Sequence, residues 1–250
     1  LNDASSGPVA ALDAVEVEYN GRQALGPFSL RLAAGEIVAL VGPSGCGKST
    51  ALRLLAGLET PTRGEVNRMP GRGETAVVFQ APTLMPWATA EANVALPLEL
   101  AGAPKSEAKT RARAALERVG LGAATGLKPA MLSGGMAMRA SLARALVTAP
   151  KLLLLDEPFA ALDEITRRKL ADDVLALWAQ TQPAMVFVTH SVEEAVYMAR
   201  RIIVMSAGPG RIAAELTLGA SLPRPPQFRT TALFRETAET VSAALEKAMA

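Results

Sequence analysis

Nine consecutive residues, Gly42, Pro43, Ser44, Gly45, Cys46, Gly47, Lys48, Ser49 and Thr50, hold the densest chemistry in the chain and fit the pattern G-x-x-x-x-G-K-[ST]. Glycines at this spacing let the backbone curl until several N–H groups converge, and a helix start adds partial positive charge at the same spot. Such a loop cradles phosphate. The Lys48 ammonium can reach β- and γ-phosphoryl oxygens, and the Ser49 hydroxyl can ligate Mg²⁺. Cys46 sits beside Lys48 and a helix start, both of which favour a thiolate. Water attack on a phosphate needs no thiol, so Cys46 reads as a small packing residue. Downstream, the apolar run KLLLLD ends in Asp156 and Glu157. Carboxylates at the C-terminal end of a buried parallel strand face the ligand crevice. Asp156 is then placed to hold Mg²⁺, and Glu157 to take a proton from an attacking water. The one histidine, His190, follows a second such run, AMVFVT. A lone histidine at a strand end is often a satisfied core residue. Here Thr189 precedes it and SVEEA opens a helix, which argues for a γ-phosphate contact instead.

These groups need a framework that brings distant segments to one edge. VEVEY (15–19), FSLRL (28–32), EIVALV (36–41), TAVVFQ (75–80), KLLLLD (151–156), AMVFVT (184–189) and RIIVMS (201–206) read as strands. Helices are expected at 49–57, 164–180 and 192–199. Between Ala88 and Thr148 the pattern is helical only, with segments at 91–100, 105–119 and one opening at Ser133. Apolar strands alternating with helices predict a parallel sheet covered on both faces. VEVEY and FSLRL, with GRQALGP between them, suggest an antiparallel flank. LPRPP (222–226) reads as a stiff linker and 228–250 as a terminal helix or helix pair.

The segment LSGGM, Leu132 to Met136, completes the set. Ser133 can cap the helix that follows, leaving the Gly134 and Gly135 amides as a second anion-binding surface. An SGG before a helix also describes any capped helix. Its position after the helical segment and 23 residues before Asp156 makes it specific. With these motifs in order, the chain resembles the ATP-binding subunit of ABC transporters from about Val15 to Leu218.

That resemblance implies an α/β fold: a P-loop NTPase (RecA-like) core with an antiparallel β flank and an inserted α-helical subdomain. It implies ATP and Mg²⁺ as ligands and ATP hydrolysis coupled to transport. Tyr19 looks like the aromatic that stacks on adenine. Gln80 looks like the glutamine that approaches Mg²⁺ and the lytic water. Ser133, Gly134 and Gly135 would contact ATP held by a second copy of the chain, and Asp163, in AALDE, would cross between the copies. Without the resemblance, Gln80 reads as a polar strand end and Asp163 as a helix N-cap. His190 resembles the switch histidine. The family follows its glycines with polar residues; here Met136, Ala137 and Met138 come before Arg139. EVNRMPGRGETAVVFQ is short, so a trimmed hairpin is expected there.

APTLMPWATAEANVALPLEL, LDEPFAALDEITRRKL and THSVEEAVYMARRIIVMSAGPGRI are similar to the ATPases of nitrate, sulfonate, taurine and related bacterial importers. The partners so implied are a second copy, a multi-span permease and, indirectly, an extracytoplasmic solute-binding protein. Met85, Pro86 and Trp87 are expected near the groove that receives the permease; Trp87 reads equally well as a core residue of the helical segment. The expected location is peripheral, at the cytoplasmic face of the inner membrane. Residues 1–10 are expected to be disordered. Residues 11–220 would form one domain, with its core at 11–84 and 149–220 and its helical part at 85–148. Residues 221–250 would be linker and helix.

Composition agrees with this class. Of 250 residues half are hydrophobic, yet no apolar run approaches the ~20 residues of a spanning helix. Twenty-six basic against 24 acidic side chains and 4% aromatics provide neither field nor stacking platforms for nucleic acid. A single cysteine excludes an internal disulfide, and no signal-peptide pattern opens the chain. One phosphate loop and only about 45 residues between Ala88 and Ser133 disfavour the soluble repair or ribosome-acting ATPases of the same class, which carry two nucleotide domains or a long coiled coil. No N-K-x-D guanine-reading motif is present, and intact Glu157 and His190 disfavour a non-hydrolysing paralogue.

Overall fold

The computed structural model describes residues 7–68, 70–71 and 73–249. The expected disorder of residues 1–6 lies outside these. Val9, by contrast, already donates its N–H to the Leu32 carbonyl, and a strand begins at Ala10.

Two long antiparallel strands open the fold, β1 (Ala10–Tyr19) and β2 (Arg22–Leu32), joined at Asn20 and Gly21. Positive φ at both residues, 51° and 77°, makes the tight Asn-Gly turn whose twist matches a hairpin. GRQALGP is therefore mostly strand rather than connection. Register shifts between Leu12 and Glu18 accommodate its Gly26 and Pro27.

β3 (Ile37–Val41) leads through the Gly42–Gly47 loop into α1 (Lys48–Ala56). β4 (Arg63–Arg68) and β5 (Thr75–Val78) follow. The trimmed hairpin expected here does not form. β4 pairs with β1 in a three-stranded sheet ordered β2-β1-β4, while β5 joins a different sheet. Composition accounts for the split: RGEVNR is polar on both faces and suits an exposed edge, whereas TAVV suits a covered parallel sheet.

Three helices come next: α2 (Ala90–Leu100), α3 (Lys105–Arg118) and α4 (Gly134–Leu146). They share a core of their own, with Val94, Leu98, Ala112, Leu116 and Ala140 buried. Inside α2, buried Asn93 organises the preceding turn. Its Oδ1 accepts from the Met85 N–H at 2.6 Å, and its amide donates to the carbonyls of Met85, Ala88 and Thr89. Trp87, carried on that turn, is 72% exposed, so the core reading of it fails.

The remaining elements alternate: β6 (Leu152–Asp156), α5 (Glu164–Thr181), β7 (Ala184–Thr189), α6 (Val192–Met198) and β8 (Arg201–Met205). They build a six-stranded sheet ordered β5-β6-β7-β3-β8-β9. Its first five strands are parallel; β9 (Ile212–Thr217), which the sequence reading passed over, is antiparallel to β8. Side chains of β3 divide by parity. Ile37, Ala39 and Val41 face a core shared with α4–α6, and Val38 and Leu40 face α1 and the three-stranded sheet. Each fully buried Leu or Ile contributes roughly 1.5–3 kcal/mol, so a sheet covered on both faces is stiff enough to fix its C-terminal edge. After Pro226–Thr230, α7 (Ala232–Met249) packs Phe234 and Val241 into the core shared with α4–α6.

Candidate active site

The loop from Gly42 to Thr50 lies where β3 ends and α1 begins. Gly47, at φ 93°, turns the chain into the helix, and a Cβ there would stand 2.7 Å from the Ala24 carbonyl of β2. Glycine is thus required twice, for the left-handed turn and for the close approach. Lys48 is 4% exposed, and its ammonium donates to the carbonyls of Gly42 and Pro43 at 2.9 Å each. Pro43, Ser44 and Gly45 form the outward rim, while Thr50 is turned inward at the start of α1.

At the ends of β6 and β7 the carboxylates and histidine converge on this loop. The Ser49 hydroxyl donates to Asp156 Oδ1 at 2.9 Å. Burial pushes the Asp156 carboxyl above its ordinary value, and neighbouring Glu157 adds to this; the Ser49 bond, Arg53 and Lys48 oppose it. A carboxylate short of compensating charge, with a hydroxyl oxygen beside it, is a hard-oxygen donor set. Mg²⁺ is bound by one or two such protein ligands plus phosphate and water, so these residues fit that ion.

Glu157 leaves β6 at φ 48°, a left-handed conformation that is strained for a side-chain-bearing residue. Its N–H bonds the Val188 carbonyl of β7, which holds the turn. His190 Nε2 lies 2.5 Å from Glu157 Oε1, so the imidazole and the carboxylate are in direct contact. Behind them Thr189 Oγ1 donates to Glu194 Oε2 and also receives the Ser191 N–H, and Glu194 lies 3.6 Å from Arg167 of α5. Burial raises the Glu194 carboxyl, with Thr189 and Arg167 opposing.

The other expected residues lie around this centre or apart from it. Tyr19 ends β1, is 41% exposed, and donates its hydroxyl to Glu59 Oε2 at 2.8 Å. Burial and Glu59 raise its hydroxyl, while Thr50 and Arg53 of α1 act the other way. Gln80 stands exposed two residues past β5, at the same edge of the sheet as Glu157. Ser133 caps α4 by accepting from the Met136 N–H. A Cβ added to Gly134 or Gly135 would meet Leu162 or Thr166, and no atom of the phosphate loop. Asp163 caps α5, and the bond from Thr166 holds its carboxyl below the usual range. Within one chain, then, Lys48, Ser49, Asp156, Glu157 and His190 gather, while Ser133–Gly135 and Asp163 form a separate surface.

Two supports were not foreseen. Gly210, in the turn after β8, packs so closely that a Cβ would stand 1.7 Å from the Cys46 carbonyl. SAGPG carried that cue only as a turn. Arg144 of α4 donates to the carbonyls of Pro82 and Thr83, tying the segment after Gln80 to the LSGG helix.

Cys46 departs from the electrostatic expectation. Burial raises its thiol, and the Lys48 charge offsets this only in part. Maleimide should therefore label the native chain at least roughly tenfold more slowly than the unfolded chain, and each adduct should abolish ATP binding. Mass spectrometry beside a nucleotide-binding assay checks both; a fully labelled chain that binds ATP normally would show that the loop does not close on phosphate.

Known proteins extend the comparison. The ABC transporter family model matches residues 25–160. The aliphatic sulfonates import ATP-binding protein of Pseudomonas syringae pv. tomato is 45% identical over 206 residues, 82% of this chain and 86% of that protein. The taurine import ATP-binding protein of Yersinia pestis bv. Antiqua is 43% identical over 206 residues, 80% of this chain and 81% of its own. A dimeric ATP-binding cassette solved in a post-hydrolysis state with ADP and Pi superposes with a TM-score of 0.74 at 31% identity, covering 85% of this chain and all of that one. With its phosphate loop, carboxylate edge and LSGG helix on this framework, the chain belongs to the ABC transporter family, as an ATP-binding subunit.

Proposed function

We propose that this chain hydrolyses ATP to energise a bacterial importer of a small solute of the taurine, aliphatic sulfonate or nitrate kind. One observation carries the reading: Lys48, the Ser49–Asp156 pair and the Glu157–His190 pair meet at one sheet edge, which is the arrangement that phosphoryl transfer to water requires. ATP phosphates lie in the loop, with the converging amides and Lys48 taking up negative charge on the β- and γ-oxygens. Ser49 and Asp156 hold Mg²⁺, which neutralises phosphate charge when bound. Glu157 accepts the proton of the attacking water, and His190 orients the γ-phosphate. Tyr19 stacks on adenine, and Gln80 stands at the mouth of the site to sense the nucleotide.

Ser133–Gly135 and Asp163 lie on their own surface, so the second half of each site comes from a second copy of the chain. ATP then sits between two copies that close on it and part after hydrolysis. Trp87, exposed on the turn after Gln80, supports a permease partner on this face; a groove of about 510 Å³ between β5, the end of α2, α3 and α4 offers a further contact, though Met85, Pro86 and Trp87, expected beside such a groove, do not line it. Leu98, Leu100 and Ala101 give it apolar walls, and Arg144 links it to the segment after Gln80. Among the described residues no helix is long and apolar enough to cross a membrane. On this reading the protein is peripheral at the cytoplasmic face and meets the solute-binding protein only through the permease. The solute itself touches neither the loop nor the groove.

Solubilised membranes expressing the chain at native level provide the test. Affinity capture should bring down a multi-span permease, and vesicles holding both should take up solute only with ATP and the binding protein. Capture of a ribosomal or DNA-bound partner in its place would overturn the transport assignment.

A further inference from the structure

The tail beyond β9 does more than end the chain. Arg224, in LPRPP, is 3% exposed and buried against the C-terminal end of α6. One guanidinium nitrogen, Nη1, donates to the carbonyls of Val196, Tyr197 and Ala199 at 2.7, 3.0 and 2.8 Å, and Nη2 donates to the Ala220 carbonyl at 3.3 Å. The first three are carbonyls at the end of α6, which a helix C-terminus leaves without intrahelical partners, and a cation there also suits the helix dipole. Burial lowers the guanidinium to about 10, so it stays charged at neutral pH. Phe228 lies beneath it at 4.9 Å. The contact is reciprocal: the Tyr197 hydroxyl donates to the Arg224 carbonyl at 2.8 Å. Arg229 covers the Tyr197 ring and pairs with Asp172 of α5 at 2.8 Å.

What this clamp holds is the helix that starts directly after His190. α6 has only seven residues, too few to be stable by itself. Its first turn is fixed by Thr189, Ser191 and Glu194, and its last turn by Arg224, about 10 Å away. We propose that Arg224 is a positioning residue for His190: the tail, by capping α6, sets where the imidazole stands against Glu157. The consequence for catalysis rests on His190 acting at the γ-phosphate; the positional coupling does not.

Because His190 is the only histidine, a chain prepared without a histidine tag gives a single set of imidazole NMR signals. In Arg224→Gln those signals should shift and broaden relative to wild type, kcat for ATP should fall about 10- to 100-fold, and KM should stay within about threefold. Arg224→Lys, which keeps the charge but not the planar fork, should recover part of both. Tyr197→Phe removes the reciprocal bond, and with it the hydroxyl's contacts to Asp172 and Arg229, while leaving Arg224 in place; it decides the matter if Arg224→Gln fails to fold, and it should move the imidazole signals the same way. Imidazole signals superimposable on wild type in the folded variant would overturn the proposal, whatever happens to activity. Shifted signals with kcat unchanged, and His190→Ala equally active, would uphold the coupling and remove His190 from the chemistry instead.

Discussion

Glu157→Gln should bind MgATP with an affinity within a few-fold of wild type, turn it over about 10²- to 10⁴-fold more slowly, and accumulate as a dimer in its presence. Glutamine has the same shape, tolerates the φ of 48° as well or as badly as glutamate, and keeps an oxygen that can accept from His190 Nε2. The backbone bond to Val188 is untouched. What disappears is the basic oxygen that would take the proton from water. Phosphate-release kinetics measure the loss, and size-exclusion chromatography with and without MgATP measures the dimer. A variant that retains wild-type turnover would remove Glu157 from the role of base.

Lys48→Ala should fail earlier, at binding. The ammonium is the one full positive charge seated within the loop, and its two carbonyl bonds hold the loop's shape. Its loss removes the donor that phosphates would meet in the loop and leaves the Gly42 and Pro43 carbonyls unpaired. ATP affinity should fall at least about tenfold and turnover by about 10²- to 10³-fold, the scale seen when one preorganised donor to a developing charge is deleted. The fold should survive, because α1 is anchored by buried Leu52, Leu54 and Leu55 rather than by Lys48. Equilibrium dialysis with labelled ATP and a thermal melt distinguish the outcomes. Binding at wild-type affinity would mean that the nucleotide does not use this loop. The two variants should divide the cycle: one keeps its affinity and loses cleavage, the other loses affinity first.

Much of the site could be read along the chain because its parts are local. A phosphate loop is closed by nine neighbouring residues, the caps at Ser133 and Asp163 each span three residues, and Asp156 and Glu157 end a run whose apolarity already requires burial. The fold class followed from strands too apolar to face water. What escaped depended on pairs far apart. β9 was missed because a strand whose side chains alternate half-buried and exposed is recognisable only once β8 lies beside it. EVNRMPGRGETAVVFQ resembled a hairpin because proximity in sequence favours pairing, yet β4 finds β1 and β5 finds β6. Trp87 could have been core or surface, and Asn93 decided it by fixing the turn that carries Trp87 outward.

The sequence by itself determined the chemical inventory: the loop, the two carboxylates, the histidine and the LSGG cap, each set by residue type and short spacing. Only the tertiary structure decided how they are grouped. It set His190 against Glu157, Ser49 against Asp156, and Gly210 against Cys46, and it left Ser133–Gly135 on another surface. The reason is physical. Hydrogen bonds within a turn are encoded by a few adjacent residues, whereas contacts across a sheet depend on strand order and register, which the whole core fixes together. Arg224 shows the difference most clearly: in the sequence it is one charge among prolines, and in the fold it caps the helix that follows His190.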